Sequence, residues 1–265
     1  MKRKGNVLAV MSPKGGAGKT VTTANIAVAL SSVFNKRILA IDTNITTASL
    51  GLHLNILYPK ATIYDVLKKN FLIYNAIHRY NDNLDVIPAS ITIEKKNRDV
   101  EAMQDQVRRI VDHYDILLSE VVKQYDLVLL DSAPGFNTES LATMQVADGI
   151  LLITNPEYPS VTAALKAIEY AKVLKVPMMG IVLNKVTMRN YELKKKEIEE
   201  SLRAKIMEEV PMDEKIPESI SHNQPVVLFS PSSRASIAYK RLAASLIGKK
   251  YNANLIEKLR LLFSI

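Results

Sequence analysis

The sequence contains no cysteine, which excludes disulfides, thiol nucleophiles and thiolate metal sites. Histidines are scarce: only His53, His78, His113 and His222 occur, and their spacings match no metal-ligand pattern. No apolar run approaches the roughly 20 residues needed to span a bilayer. No internal repeat, low-complexity tract or Gly/Ser linker divides the chain. Met1-Lys2-Arg3-Lys4-Gly5 leads straight into an apolar stretch, so no signal peptide is expected.

What is present is a 265-residue chain with 48% hydrophobic and 23% charged residues. These proportions predict a soluble globular protein, and the length suits one α/β domain with a substantial core. The lack of cysteine fits a cytoplasmic protein. The net charge of +8 suits DNA or an anionic membrane surface, and equally a solvated basic surface. Lysines and arginines are spread along the chain, and no nucleic-acid-binding motif accompanies them.

The strongest signal is Met11-Ser12-Pro13-Lys14-Gly15-Gly16-Ala17-Gly18-Lys19-Thr20. It follows the apolar run Val7-Leu8-Ala9-Val10 and precedes a helical pattern over about 21–33. Strand, glycine-rich loop and helix in that order can hold phosphates. The glycines let backbone N–H groups turn inward, and the helix N-terminus adds its positive end. Lys19 can reach the β- and γ-phosphates of a nucleotide, and the Thr20 hydroxyl can ligate Mg²⁺. The loop departs from the ordinary G-x-x-x-x-G-K-[ST] pattern, whose first glycine falls at Pro13 here. A second lysine, Lys14, stands in it. A chance match to K-G-G-x-G-K-T in a chain this long is about one in ten thousand, which argues against an accidental glycine turn.

This deviant motif resembles the family that includes the ParA partition ATPases and the MinD cell-division ATPases. The resemblance implies a P-loop ATPase fold, a doubly wound, mostly parallel α/β sheet with helices on both faces. It also implies ATP and Mg²⁺ as cofactors and an ATP-dependent homodimer in which Lys14 reaches the partner's nucleotide. Gly15, Gly16, Ala17, Gly18, Lys19, Thr20 and Val21 are then phosphate-loop residues.

Further along, Arg37-Ile38-Leu39-Ala40-Ile41-Asp42 reads as a buried parallel strand ending in an acid. The family pattern at that edge is D-x-D. Its first Asp, here Asp42, supports the Mg²⁺ shell through water, and its second positions the attacking water. This chain has Asn44 at the second place. An amide accepts no proton at neutral pH, so either hydrolysis is slow or another group orients the water. Leu84-Asp85-Val86-Ile87-Pro88-Ala89 reads as another strand, and about 99–123 as a long helix. Tyr125-Asp126-Leu127-Val128-Leu129-Leu130-Asp131 is an apolar strand ending in an acid, the Walker B arrangement. Asp131 there would hold Mg²⁺ through a water. Ser132-Ala133-Pro134-Gly135 resembles the family's switch II, with Gly135 as its pliable point.

Residues 147–154 predict a buried strand, and a helix is expected over about 160–174 with Ser160 as its N-cap. In Met178-Met179-Gly180-Ile181-Val182-Leu183-Asn184-Lys185, the Leu-Asn-Lys ending resembles the family's adenine-reading position. Asn184 is accordingly the candidate for the base edge. Pro211, Met212 and Asp213 resemble the family's base-contacting loop. A final core helix is expected over about 233–246.

The expected division is an ATPase domain over 1–248 and a linker with an amphipathic helix over 249–265. Leu255, Ile256, Leu259, Leu262 and Phe263 share one face of that helix, with basic residues beside it. That pattern suits an anionic membrane surface, and equally a helix folded on the core or on a partner. MinD-type members end this way. The combined expectation is a Mg-ATP switch at the inner face of the cell membrane. It would position a division site, surface appendage or other cargo, and answer to an unidentified activating protein. A DNA-associated partition ATPase and an ATP-binding regulatory switch with little turnover are the alternatives.

Overall fold

A computed structural model describes residues 6–45, 47–68, 71–90, 103–254 and 257. Among them run β1 (Val7–Met11), α1 (Lys19–Val28), β2 (Ile38–Asp42), α2 (Leu50–His53), α3 (Ile63–Leu67), β3 (His78–Asn81) and β4 (Leu84–Ile87). Then come α4 (Met103–Val121), β5 (Leu127–Asp131), α5 (Thr138–Val146), β6 (Gly149–Thr154), α6 (Tyr158–Val173) and β7 (Met178–Val186). The chain closes with α7 (Lys195–Leu202), β8 (Ile206–Pro211), α8 (Lys215–Ser221), α9 (Val226–Phe229) and α10 (Arg234–Leu246).

The eight strands form one sheet in the order β3-β4-β2-β5-β1-β6-β7-β8. Every pairing is parallel except β3 with β4. This is the doubly wound sheet the sequence predicts. Its central strands are buried along their length because helices cover both faces, so alternate residues enter different cores. On β1, Val7, Ala9 and Met11 join α4, α5, α6 and α7 on one side. Leu8 and Val10 join α1, α9 and α10 on the other. The carboxyl ends of β1, β2, β5, β6 and β7 converge on one edge, where open α/β sheets bind ligands.

Three expectations change. Helix α6 begins at Tyr158, with Glu157 rather than Ser160 as its N-cap. Pro159 fits the first turn because its missing N–H would be unbonded there, and Ser160 instead donates to Glu157 Oε1 at 2.8 Å. β3 has no counterpart in the sequence reading. His78-Arg79-Tyr80-Asn81 lacks an apolar run because it is an edge strand, folded back on β4 through a hairpin. The long helix expected over 99–123 ends at Val121, and 122–124 is a separate 3₁₀ turn; 99–102 lies outside the described residues.

Candidate functional site

The loop between β1 and α1 is shaped by two glycines with left-handed backbones, Gly16 at φ +73° and Gly18 at φ +96°. Gly18 caps α1 with no side chain, so the first N–H groups of the helix face outward unclaimed by a cap. A Cβ on Gly18 would stand 2.2 Å from Asn184 Nδ2. The close approach explains why glycine is needed there. Lys19 is only 7% exposed. Burial lowers its pKa, and the neighbouring Asp131 carboxylate opposes that shift.

Asp42 and Asp131 end adjacent parallel strands in register with each other. Both are fully buried. Thr20 Oγ1 donates to Asp131 Oδ2 at 2.7 Å, and Thr23 Oγ1 to Oδ1 at 3.1 Å. Asp42 accepts from the backbone N–H groups of Asn44, Ser49 and Leu50, so it ties the start of α2 to the strand edge. Burial raises the pKa of both acids, and the charge of Asp131 raises Asp42 further. Two buried acids beside two threonine hydroxyls and a cleft form an all-oxygen donor set in need of positive charge. That set fits Mg²⁺, a hard cation that binds through one or two carboxylates, waters and phosphate oxygens. No group of three or more His, Cys, Asp or Glu among the described residues forms a complete protein cage for a metal.

Asn44 is brought to the same edge, but its amide closes on its own loop. Nδ2 donates to the Thr47 carbonyl at 2.8 Å, and Oδ1 accepts from Thr47 N at 3.2 Å. Gly135 has φ +81°, and its N–H donates to the Ser12 carbonyl at 3.3 Å. The expected switch glycine therefore touches the phosphate loop directly.

Lys14 differs from Lys19 in every respect. Its ammonium is half exposed and pairs with Glu157 at the rim of the cleft. Glu157 is held below the usual carboxylate range by that lysine and by Ser160. Lys185 Nζ donates to the Gly16 carbonyl at 2.8 Å. A cavity of about 510 Å³ opens here, its wall including Lys14, Gly15, Glu157, Lys185 and Tyr191.

A second cavity of about 450 Å³ lies on the other side of the loop. Its lining brings together Gly18, Thr20, Val21, Asn184, Pro211, Met212 and Asp213, all marked by the sequence. Asn184 Nδ2 donates to the Ala17 carbonyl at 2.7 Å, and Asn155 holds the Asn184 backbone carbonyl at 3.0 Å. Asn184 Oδ1 is buried without a hydrogen-bond partner. An apolar slot with a buried, unpaired amide oxygen in its wall suits a purine that offers a donor.

The sequence reading missed several residues of these walls. Ile216, Pro217, Ile220 and Tyr239 complete the apolar slot from α8 and α10. Ser49 and His53 approach from α2. They belong to elements remote in sequence from the loop, and no local motif marks them. Thr23, one helical turn beyond Thr20, carried a usable signal: its spacing puts its hydroxyl on the face toward Asp131. Leu255, Ile256, Leu259, Leu262 and Phe263 lie outside the described residues. No helix among the described residues is long and apolar enough to cross a membrane.

Comparison with known proteins bears on this geometry. A family model described as an AAA domain matches residues 5–176. An uncharacterised ATP-binding protein of Methanocaldococcus jannaschii is 34% identical, over 95% of this chain and 91% of that protein. The crystal structure of the Pyrococcus furiosus cell division ATPase MinD superposes with a TM-score of 0.81 at 27% identity, covering 92% of this chain and 98% of that one. The septum site-determining protein MinD of Pyrococcus horikoshii, complexed with Mg-ADP, gives a TM-score of 0.80 at 25% identity, covering 91% and 95%.

Proposed function

The chain belongs to the ParA/MinD-type family of AAA-domain ATPases, and on that premise we propose that it is a Mg-ATP-dependent dimerising switch that associates reversibly with a membrane and serves spatial positioning in the cell. The observation that carries this reading is the contrast between its two loop lysines. Lys19 is buried beside Asp131, at the position where it can neutralise its own nucleotide's phosphates. Lys14 is half exposed at the rim, paired with Glu157 among the described residues, and is available to a second molecule.

In this reading the N–H groups of Gly15 to Val21 and the Lys19 ammonium hold the phosphates. Thr20, Asp131 and Asp42 would hold Mg²⁺ at the strand edge. The bound Mg²⁺ would screen the phosphate charge and polarise the phosphoryl group. Asn184 and the 211–213 turn hold the base. Gly135 passes the loss of the γ-phosphate to α5 through its bond to Ser12. Hydrolysis is slow because Asn44 supplies no base, and an activating protein quickens it. The C-terminal segment supplies a weak membrane contact that two copies in a dimer strengthen. The protein would then work at the inner face of the cell membrane.

Molar mass in solution, measured with and without ATP, tests the dimer. Wild type should double in mass with ATP. Lys14→Ala should bind ATP and remain a monomer, and Lys19→Ala should lose ATP binding. A Lys14→Ala protein that dimerises like wild type would refute the trans role. Co-sedimentation with anionic vesicles tests the membrane contact, with Leu262→Glu and Phe263→Glu expected to stay in the supernatant. Equal pelleting of these variants and wild type would remove the membrane from the reading.

A further inference from the structure

Beyond α10, one acidic residue is buried and closely bonded. Glu257 is 1% exposed and faces Lys240, itself buried on α10. The Lys240 ammonium lies 2.7 Å from Glu257 Oε1 and 2.7 Å from the Pro231 carbonyl. The Tyr251 hydroxyl lies 2.8 Å and 2.9 Å from the two carboxylate oxygens. Asn254 N donates to Glu257 Oε2 at 2.9 Å, and Glu257 N donates to Asn254 Oδ1 at 2.9 Å. That reciprocal pair is a capping box, a helix-start device, with Asn254 as the cap. Burial works against ionisation of Glu257, yet Lys240, the Asn254 N–H and Tyr251 hold its carboxyl below the usual range. The Tyr251 ring meets Phe34 edge-on with centroids 6.3 Å apart, which joins the stretch to the chain just past α1.

We propose that Lys240 and Glu257 form a latch that docks the root of the C-terminal segment on α10, so that the segment leaves the core from a fixed point instead of a free linker. Each partner needs the other. A buried ammonium or carboxylate left alone is strongly unfavourable, so removal of either member releases the root. The mount also has a defined neighbour. Tyr239, the residue before Lys240, lines the cavity beside the phosphate loop. The helix that walls the candidate base slot is therefore the helix that holds the segment. The latch does not depend on what the segment binds, or on whether the protein hydrolyses ATP.

Limited trypsin digestion of the full chain, followed by intact mass, tests this. Lys258 and Arg260 lie immediately beyond the latch. Cleavage there should be slow in wild type and rise at least about tenfold in Glu257→Gln and in Lys240→Met, while the large core fragment persists. Tyr251→Phe, which removes one hydrogen bond and leaves the ion pair, should give a smaller rise. Equal cleavage in wild type, Glu257→Gln and Lys240→Met would overturn the proposal. Hydrogen exchange on the unaltered protein decides it without any substitution. The amides of Asn254 and Glu257 should be protected, and exchange at free-peptide rates would refute the latch.

Discussion

Asn184 donates one side-chain N–H to the carbonyl of Ala17 at 2.7 Å, and this bond orients the amide in the cavity wall. One of the two Nδ2 hydrogens is spent on the loop, and Oδ1, a buried acceptor, is the half of the amide without a hydrogen-bond partner of its own. Adenine presents an amino group at its six position, whereas guanine presents a carbonyl that would face Oδ1 oxygen to oxygen.

Asn184→Ala should therefore weaken ATP binding about tenfold or more, the cost of a lost hydrogen bond in a buried site. It should also narrow the preference for ATP over GTP, while binding of inorganic tripolyphosphate stays near the wild-type value. Calorimetric titration with the three ligands measures this. An unchanged ATP-to-GTP ratio would show that the base edge is read elsewhere.

Gly18→Ala should be damaging for two separable reasons. The left-handed backbone at φ +96° strains any side chain, and the new methyl would overlap Asn184 Nδ2. A loss of about 1–3 kcal/mol in stability is expected, together with loss of nucleotide binding. In a Gly18→Ala, Asn184→Ala double variant the overlap is gone and the strain remains, so stability should recover in part. Denaturant melts of the four proteins measure the split. Additive losses would mean that the two positions do not touch.

The pH dependence of stability follows from Asp42 and Asp131. Both have folded-state pKa values raised above the ordinary 3.8, chiefly by burial. A carboxyl of that kind binds more protons folded than unfolded, so its contribution falls as pH rises from about 4 through the raised value. The nucleotide-free protein should lose stability across that window. Asp131→Asn should raise its stability by about 1 kcal/mol at pH 8, or roughly 2–4 °C in Tm, and the gain should vanish near pH 4. The same variant should lose the Mg²⁺-dependent part of its nucleotide affinity. A wild-type Tm that climbs steadily from pH 4 to pH 8, with no gain in the variant, would contradict the sign.

How much could be read in advance depended on the kind of residue. Lys19, Thr20, Asp42 and Asp131 were legible because each sits where an apolar strand gives way to a loop, and the sheet brings those ends to one edge. Pro211 to Asp213 was legible only through family likeness, and Tyr239 and Ile216 were not legible at all. Their place in the cavity depends on how α8 and α10 pack against β8 and α1, and helical periodicity does not encode that. β3 was hidden because an edge strand needs no apolar run. Glu257 was misleading for the opposite reason: by pattern it belongs to a polar helix face, and the buried ammonium of Lys240, with Tyr251 and the Asn254 N–H, draws it inward.

Asn44 marks the sharpest difference between this chain and its family's pattern, and its surroundings sharpen the prediction it carries. The amide is not idle: it bonds Thr47 through both its oxygen and its nitrogen. A carboxylate in its place could still accept from Thr47 N but would meet the Thr47 carbonyl oxygen where Nδ2 now donates. That repulsion would turn one oxygen away from Thr47, and the group would gain the capacity to accept a proton. If the missing base limits hydrolysis, Asn44→Asp should raise single-turnover ATP cleavage at least about tenfold, since a well-positioned base contributes about a hundredfold or more. Nucleotide affinity should change little, because Asn44 lies outside the lining of both cavities at the loop. Phosphate release from preloaded protein, followed for wild type and variant at matched ATP occupancy, makes the measurement. A rate that stays the same would shift the limit to the dimer or to an activating partner, since the substitution restores the one group the family pattern has and this chain lacks.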